Sequence, residues 1–411
     1  MRPARRGAES GTNVRVLSGF SSPAALLLTG DLGLGHHMVT EVVADSFHQM
    51  GWRTEVLDCM SLLGAWRSRL GDSIFRRLIG LPTLYDGIHF SHFRTGSWLA
   101  RGLDRLATDR LVPAVSQYLE GRRFDVVVAT FATGASAIAR LYRTAGSGDR
   151  PATVVLCTDA TPHSLWVRPG IDLFLVTSES AVAAVHRYSP RARVAVVPPP
   201  VRSAFYEAPA RSEARDELGI GPADRCVLLM GGGWGLGPLA QTARLLAQRD
   251  VTVLAVAGRN ERLAQLLDDA ARRHPRVRPF GYTEEIPKLM AACDLVLTTP
   301  GATTCSEARV VGRPLLLLDV IPGHGRDNIQ RELELGSAEV CDPDPYRLTA
   351  NVMAALERTA GRHAVQAPSD RFSREFGESL ASIGVDRGAR RHRPRGHGRP
   401  RTGTLKEIDL Q

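Results

Sequence analysis

Lysine is nearly missing from this chain: Lys288 and Lys406 are the only two in 411 residues. Chemistry built on a lysine amine, such as a Schiff base, therefore has little to work with. Long apolar runs are missing too. None approaches the roughly 18 residues that a membrane span needs, and Ala24 to Leu28 is too short for a signal-peptide core. The expectation from these absences is a cytoplasmic protein. Cysteine is sparse. Cys59, Cys157, Cys226, Cys293, Cys305 and Cys341 are scattered, none forms a Cys-x-x-Cys pair, and most lie in apolar runs. They read as buried thiols rather than metal ligands or disulfides. Acidic residues are missing from 387–401, which hold seven arginines; without those seven the formal charge falls from +9 to +2. The body is nearly balanced, so no broad basic face and no nucleic-acid partner is expected.

What is present suits two α/β domains of ordinary size, with 43% hydrophobic residues to build their cores. A strand over Ala24–Thr29 runs into Gly30-Asp31-Leu32-Gly33-Leu34-Gly35-His36-His37. A helix follows, with Val39, Val43, Phe47 and Met50 at helical spacing and Gly51 as its stop. Thr54–Leu57 is a second strand. This is the β-loop-α-β opening of a doubly wound sheet. The final glycine of a dinucleotide fingerprint is absent, because His37 stands two residues after Gly35. His36 falls in the first turn of the helix, where the dipole favours the neutral imidazole. It reads as a base or as a plain helix-end residue.

Further strands are predicted over Phe124–Thr130, Thr153–Thr158, Leu173–Thr177 and Ala192–Val197, and helices over Arg101–Glu120 and Ser136–Tyr142. Asp159 closes one strand, with His163 and Trp166 just beyond it, at the edge where open sheets place their sites. Pro198-Pro199-Pro200-Val201-Arg202 reads as a stiff exit into a linker, and 206–222 as a charged stretch with a short helix.

The second half restarts the rhythm. Cys226–Met230 leads into Gly231-Gly232-Gly233-Trp234-Gly235-Leu236-Gly237, whose amides side chains hardly obstruct, and Pro238 stands at a helix start. Val251–Ala257 and Val277–Phe280 are strands, the second followed by Gly281-Tyr282. A helix over Ile286–Cys293 precedes the strand Asp294–Thr298 and the turn Thr299-Pro300-Gly301-Ala302-Thr303-Thr304. The helix that leaves this turn stops at Gly312. Its N-terminus presents amides and a positive dipole end to an anion. Thr303 and Thr304 suit phosphate oxygens, and Glu307 suits ribose hydroxyls. Alternatively, Thr303 or Thr304 caps the helix and Glu307 completes a capping box. Two such turns converging on one carboxyl edge favour a nucleotide-diphosphate site. Beyond the strand Leu315–Leu318, residues 323–328 read as a polar turn with a helix starting near Ile329, and Tyr346–Leu356 and Arg371–Ile383 as helices. Trp66–Phe93 mixes aromatics with arginines, as an amphipathic helix or an anionic-membrane contact does.

In order along the chain stand Gly33-Leu34-Gly35-His36, Thr158-Asp159 with His163 and Trp166, Pro199-Pro200-Val201 with Phe205, the 231–237 glycine loop, Gly281-Tyr282, Gly301 with Thr304 and Glu307-Ala308, and Ile321-Pro322-Gly323 with Asn328. Together they resemble the GT-B glycosyltransferases, and more closely the group of monogalactosyldiacylglycerol synthases, processive diacylglycerol glucosyltransferases and MurG. The resemblance implies an α/β GT-B fold of two Rossmann-like doubly wound domains facing an interdomain cleft. The expected layout is a disordered N-terminus (1–22), an acceptor domain (23–205), a nucleotide-sugar donor domain (206–365), a C-terminal helix (366–385) and a disordered Arg-rich tail (386–411). The implied reaction is inverting transfer of a hexose or N-acetylhexosamine from a UDP-sugar co-substrate to a lipid or lipid-like hydroxyl, diacylglycerol-type favoured, with no cofactor and no metal. His36 and Asp159 would be catalytic. Gly232, Gly233, Phe280, Tyr282, Gly301, Thr303, Thr304, Glu307, His324 and Asn328 would bind donor, and Gly35, His163 and Trp166 acceptor. Residues 66–93 and the tail would touch an anionic membrane, at the inner face of the plasma membrane. Relatives often carry a basic residue and a second glycine within 299–304, and a glutamine with an acid after Ile-Pro-Gly; this chain does not. The alternatives are a UDP-sugar epimerase without net hydrolysis, or a non-catalytic nucleotide-sugar-binding protein of the same fold.

Overall fold

The computed structural model describes residues 22–30, 35–62, 97–143, 150–321, 323–359 and 371–385. The expectations for 1–21, for Gly33 and Leu34, for the 66–93 segment and for the arginine tail lie outside the described residues.

The first half runs β1 (Ala24–Thr29), α1 (Gly35–Gln49), β2 (Arg53–Asp58), α2 (Cys59–Leu62), α3 (Trp98–Leu119), β3 (Val126–Ala129), α4 (Ala132–Leu141), β4 (Ala152–Cys157), β5 (Leu173–Val176), α5 (Glu179–Tyr188) and β6 (Val194–Val196). Its six strands form one sheet in the order β2-β1-β3-β4-β5-β6, with every pairing parallel. β1, β3, β4 and β5 are buried along their whole length. That is why they read as unbroken apolar runs rather than alternating ones: helices cover both faces of a parallel sheet. Alternate side chains feed opposite faces. Leu26 and Leu28 join one core with Phe174 and Trp166, while Ala25 and Leu27 join another with Val43 and Phe47.

The second half follows as α6 (Ser203–Tyr206), α7 (Arg211–Leu218), β7 (Arg225–Met230), α8 (Leu239–Ala247), β8 (Val251–Val256), α9 (Glu261–Arg273), β9 (Val277–Phe280), α10 (Ile286–Ala292), β10 (Leu295–Thr298), α11 (Ala302–Val310), β11 (Leu315–Leu318), α12 (His324–Glu334), β12 (Ala338–Cys341) and α13 (Pro345–Thr359). Its sheet is again parallel, in the order β12-β11-β10-β7-β8-β9. α14 (Phe372–Ser382) then returns to the first half. Phe372, Phe376 and Leu380 sit in the core that holds Phe47, with Phe376 edge-on to Phe47 at 5.3 Å.

Five elements were not read from the sequence: the one-turn helices α2 and α6, and three more. α5 is started by Ser178, whose hydroxyl accepts from Ala181 N at 3.2 Å. α9 is started by Asn260, which accepts from Leu263 N at 3.0 Å. The short edge strand β12 is the third. The helix expected near Ile329 starts earlier, at His324, because Gly323 at φ +65° turns the chain directly into it. The side-chain cap considered for the 302–310 helix is absent: Gly301 is the N-cap and no side chain bonds there. All six cysteines are free and buried, and burial pushes the thiols of Cys59 and Cys293 up to about 12.

Candidate active site

In a doubly wound sheet the crevice opens where the strand order reverses. In the first sheet that place is between β1 and β3. α1 starts there, and His36 Nδ1 lies 2.9 Å from the carbonyl oxygen of Thr130, just past β3. A carbonyl only accepts, so Nδ1 carries the proton and Nε2 is left as the basic nitrogen. Thr40 Oγ1 donates to His36 O at 2.7 Å and lies 2.7 Å from Thr130 Oγ1, which fixes the first turn of α1 onto the end of β3. Phe131 meets the imidazole edge-on at 5.0 Å, and Trp166 lies 6.1 Å away. This crowding removes water, so burial holds the His36 pKa below its usual value; Asp159 and the Thr130 carbonyl pull the other way. The neutral imidazole expected from the helix dipole is thus favoured chiefly by desolvation.

Asp159, at the end of β4, accepts from the indole N–H of Trp166 at 2.7 Å. Trp166 is 2% exposed, so it serves as a buried prop for Asp159 rather than an open face. His163 Nε2 is 3.9 Å from the same carboxylate oxygen, and its Nδ1 accepts from Leu165 N at 3.3 Å. One carboxylate therefore gathers Trp166 and His163 and biases the charge on His36.

In the second sheet the order reverses between β7 and β10. The glycine loop leaves β7 there as a 3-10 turn over Gly232–Trp234. Its glycines are needed for close approach. A Cβ on Gly231 would overlap the backbone of Leu236, and one on Gly258 would stand 2.9 Å from Gly233 O. Gly232, at φ +64°, lies against Thr299, the first residue of the turn after β10. Gly301, Thr303 and Thr304 then form the N-terminus of α11. At the far side Phe280 ends β9, and Arg259 lies over the half-exposed ring of Tyr282 at 5.1 Å.

The two crevices face each other. A Cβ on Gly35, at the head of α1, would stand 3.3 Å from Thr303 Oγ1 at the head of α11. Two helix N-termini, one from each sheet, thus converge on one gap. Beside it lies a cavity of ≈ 190 Å³ lined by Val39, Thr158 and Thr177 from the first half and by Thr303, Ser306 and Arg331 from the second. Asn328 is committed to the protein: its Nδ2 donates to Pro300 O at 2.9 Å, and its Oδ1 accepts from Ala160 N of the first half at 3.4 Å. His324 is the first residue of α12. Glu307 is 4% exposed and faces Arg202 across 3.5 Å. Burial, offset by Arg202, raises its pKa to about 7. Arg202, Arg259 and Thr130 had no site role in the sequence reading; a cation placed immediately after the proline exit was the available signal for the first.

Comparison with known proteins agrees with this architecture. Residues 36–201 match the monogalactosyldiacylglycerol (MGDG) synthase family, and residues 229–335 match the glycosyltransferase family 28 C-terminal domain. The chain thus carries two matched glycosyltransferase domains and has homologues among the monogalactosyldiacylglycerol synthases and diacylglycerol glucosyltransferases. Among its relatives is a probable monogalactosyldiacylglycerol synthase 2 of Oryza sativa, 28% identical over 367 residues, covering 84% of this chain and 76% of the relative. A monogalactosyldiacylglycerol synthase 2 of Arabidopsis thaliana is 32% identical over 196 residues, 45% of this chain and 42% of the relative. The processive diacylglycerol beta-glucosyltransferase of Bacillus pumilus is 24% identical and matches 77% of this glycosyltransferase and 82% of its own length. Among solved structures, Acinetobacter baumannii MurG shares the GT-B fold at TM-score 0.54 and 13% identity, over 89% of this chain and 99% of that one. A UDP-glucosyltransferase from Polygonum tinctorium does so at TM-score 0.56 and 13% identity, over 88% and 98%. Among the described residues, no helix of this glycosyltransferase is long and apolar enough to cross a membrane.

Proposed function

We propose that this glycosyltransferase moves a hexose or N-acetylhexosamine from a UDP-sugar to a hydroxyl of a lipid or lipid-like acceptor, diacylglycerol-type favoured, with inversion at the anomeric carbon. The observation that carries the reading is His36: its Nδ1–H is spent on Thr130 O, so Nε2 is a base held at the gap where the two helix N-termini meet. In one displacement the acceptor hydroxyl loses its proton to Nε2, its oxygen bonds to the anomeric carbon, and the bond to the UDP oxygen breaks. Asp159 stabilises the imidazolium that results. The charge on departing UDP falls to the amides of the 231–237 loop and of the α11 N-terminus, with Thr303 and Thr304 as hydroxyl donors. That donor set asks for no metal. Glu307 takes the ribose hydroxyls, and Tyr282 with Phe280 takes the base. The names of the rice, Bacillus and Polygonum proteins support hexose, diacylglycerol and uridine diphosphate as the classes to try first. The membrane site is assigned to 66–93 and the tail.

The test is transfer from radiolabelled UDP-glucose, UDP-galactose and UDP-N-acetylglucosamine to diacylglycerol in vesicles, with and without EDTA, and with the anomer of the product read by NMR. A glycolipid of inverted configuration formed equally with EDTA is the expected result. A retained anomer, or release of an epimerised free nucleotide sugar, would overturn the reading.

A further inference from the structure

Glu307 is a buried carboxylate on α11, and the one charged group that meets it among the described residues comes from elsewhere in the chain. Arg202 stands directly after the Pro198–Val201 exit, as the N-cap of α6, where the chain passes from the first sheet to the second half. Its Nη2 is 3.5 Å from Glu307 Oε1. Its guanidinium stacks over Phe205 at 5.1 Å, and Phe205 is fully buried. The linker therefore delivers a cation, braced on an aromatic ring, to the carboxylate of the donor half.

We propose that Arg202 is a positioning residue for donor binding: it keeps Glu307 ionised and in place to accept the hydroxyls of the nucleotide's ribose. The proposal rests on the ribose role given to Glu307 above. The chemical reason is the number of acceptors. An ionised carboxylate offers two oxygens to two hydroxyl donors, whereas a protonated one turns one oxygen into a donor and loses that match. A carboxylate this buried, with no cation at hand, takes up a proton. The same pair joins linker and donor site, so the charge that reads the ribose depends on a residue outside the turn and helix that carry Glu307.

The test is calorimetric binding of UDP and of 2′,3′-dideoxy-UDP to the full chain as wild type, Arg202→Gln, Arg202→Lys, Glu307→Gln and the Arg202→Gln/Glu307→Gln double variant. Glutamine removes the charge together with the guanidinium that lies over Phe205; circular dichroism confirms folding, and the likewise uncharged Arg202→Met repeats the comparison if Arg202→Gln does not fold. Expected are a roughly tenfold weaker UDP affinity in Arg202→Gln, recovery of most of it in Arg202→Lys, unchanged binding of the dideoxy nucleotide, and a double variant no weaker than Glu307→Gln alone. Equal loss for UDP and the dideoxy nucleotide in Arg202→Gln, or losses that multiply in the double variant, would overturn the role of Arg202. An unchanged UDP affinity in Glu307→Gln would instead overturn the ribose reading itself.

Discussion

Replacing Glu307 by glutamine should stabilise the free protein while weakening its hold on nucleotide. Burial, opposed by Arg202, raises the Glu307 carboxyl from 4.5 to about 7. An acid whose pKa is higher folded than unfolded binds its proton more tightly in the folded state. Stability is then lost as pH rises between those two values, and the whole penalty stands above about 7. A rise of this size corresponds to on the order of 3 kcal/mol. Glutamine has the shape without the charge, so it escapes the penalty; Arg202, with a side chain 26% exposed, keeps access to water. Urea unfolding of both proteins at pH 5 and pH 8 measures the effect. The stability of the variant relative to wild type should increase by about 2–3 kcal/mol between those pH values. A difference that stays constant from pH 5 to pH 8 would refute the reasoning, because it would mean that the carboxyl titrates alike in both states. A variant that is more stable yet binds UDP less well is the trade-off expected where a strained charge serves a site.

Four further outcomes are expected. His36→Gln should lower kcat by about 10²- to 10⁴-fold while leaving UDP affinity within twofold, and a parallel loss of UDP affinity would remove it as the base. With donor saturating, the acid limb of kcat should fall below pH 6.5, since burial holds the His36 imidazole below that ordinary value and the base form persists there. Gly231→Ala should abolish UDP binding in calorimetry, because its Cβ would overlap Leu236; normal binding would exclude the glycine loop from the site. Asp294→Ala should destabilise the protein by about 3–5 kcal/mol in urea unfolding, because the carboxylate meets both Arg211 and Arg215 and Arg215 is 1% exposed.

Much of the fold was legible because parallel strands buried on both faces admit few polar residues and read as near-continuous apolar runs. Thr153–Thr158 was read where β4 spans Ala152–Cys157, and Leu315–Leu318 coincides with β11. The glycine loop and the 299–304 turn were legible for a related reason, since close backbone approach admits only small residues. Less legible were elements whose signal is spread thin. α9 shows its apolar face through Leu263, Leu267 and Ala270 among charged neighbours. The start of α12 is set by a positive-φ glycine rather than by a capping side chain.

The residue order alone determined that two parallel α/β sheets would form and that glycine and hydroxyl turns would end their strands, because those are matters of local pattern. Only the tertiary structure decided which strands became neighbours, and hence that His36 would donate to Thr130 O and keep Nε2 basic. It also decided that Arg202 would reach Glu307 and that Gly35 would face Thr303. Proton placement and charge pairing depend on distance in space, and packing sets that distance between residues that the chain keeps far apart.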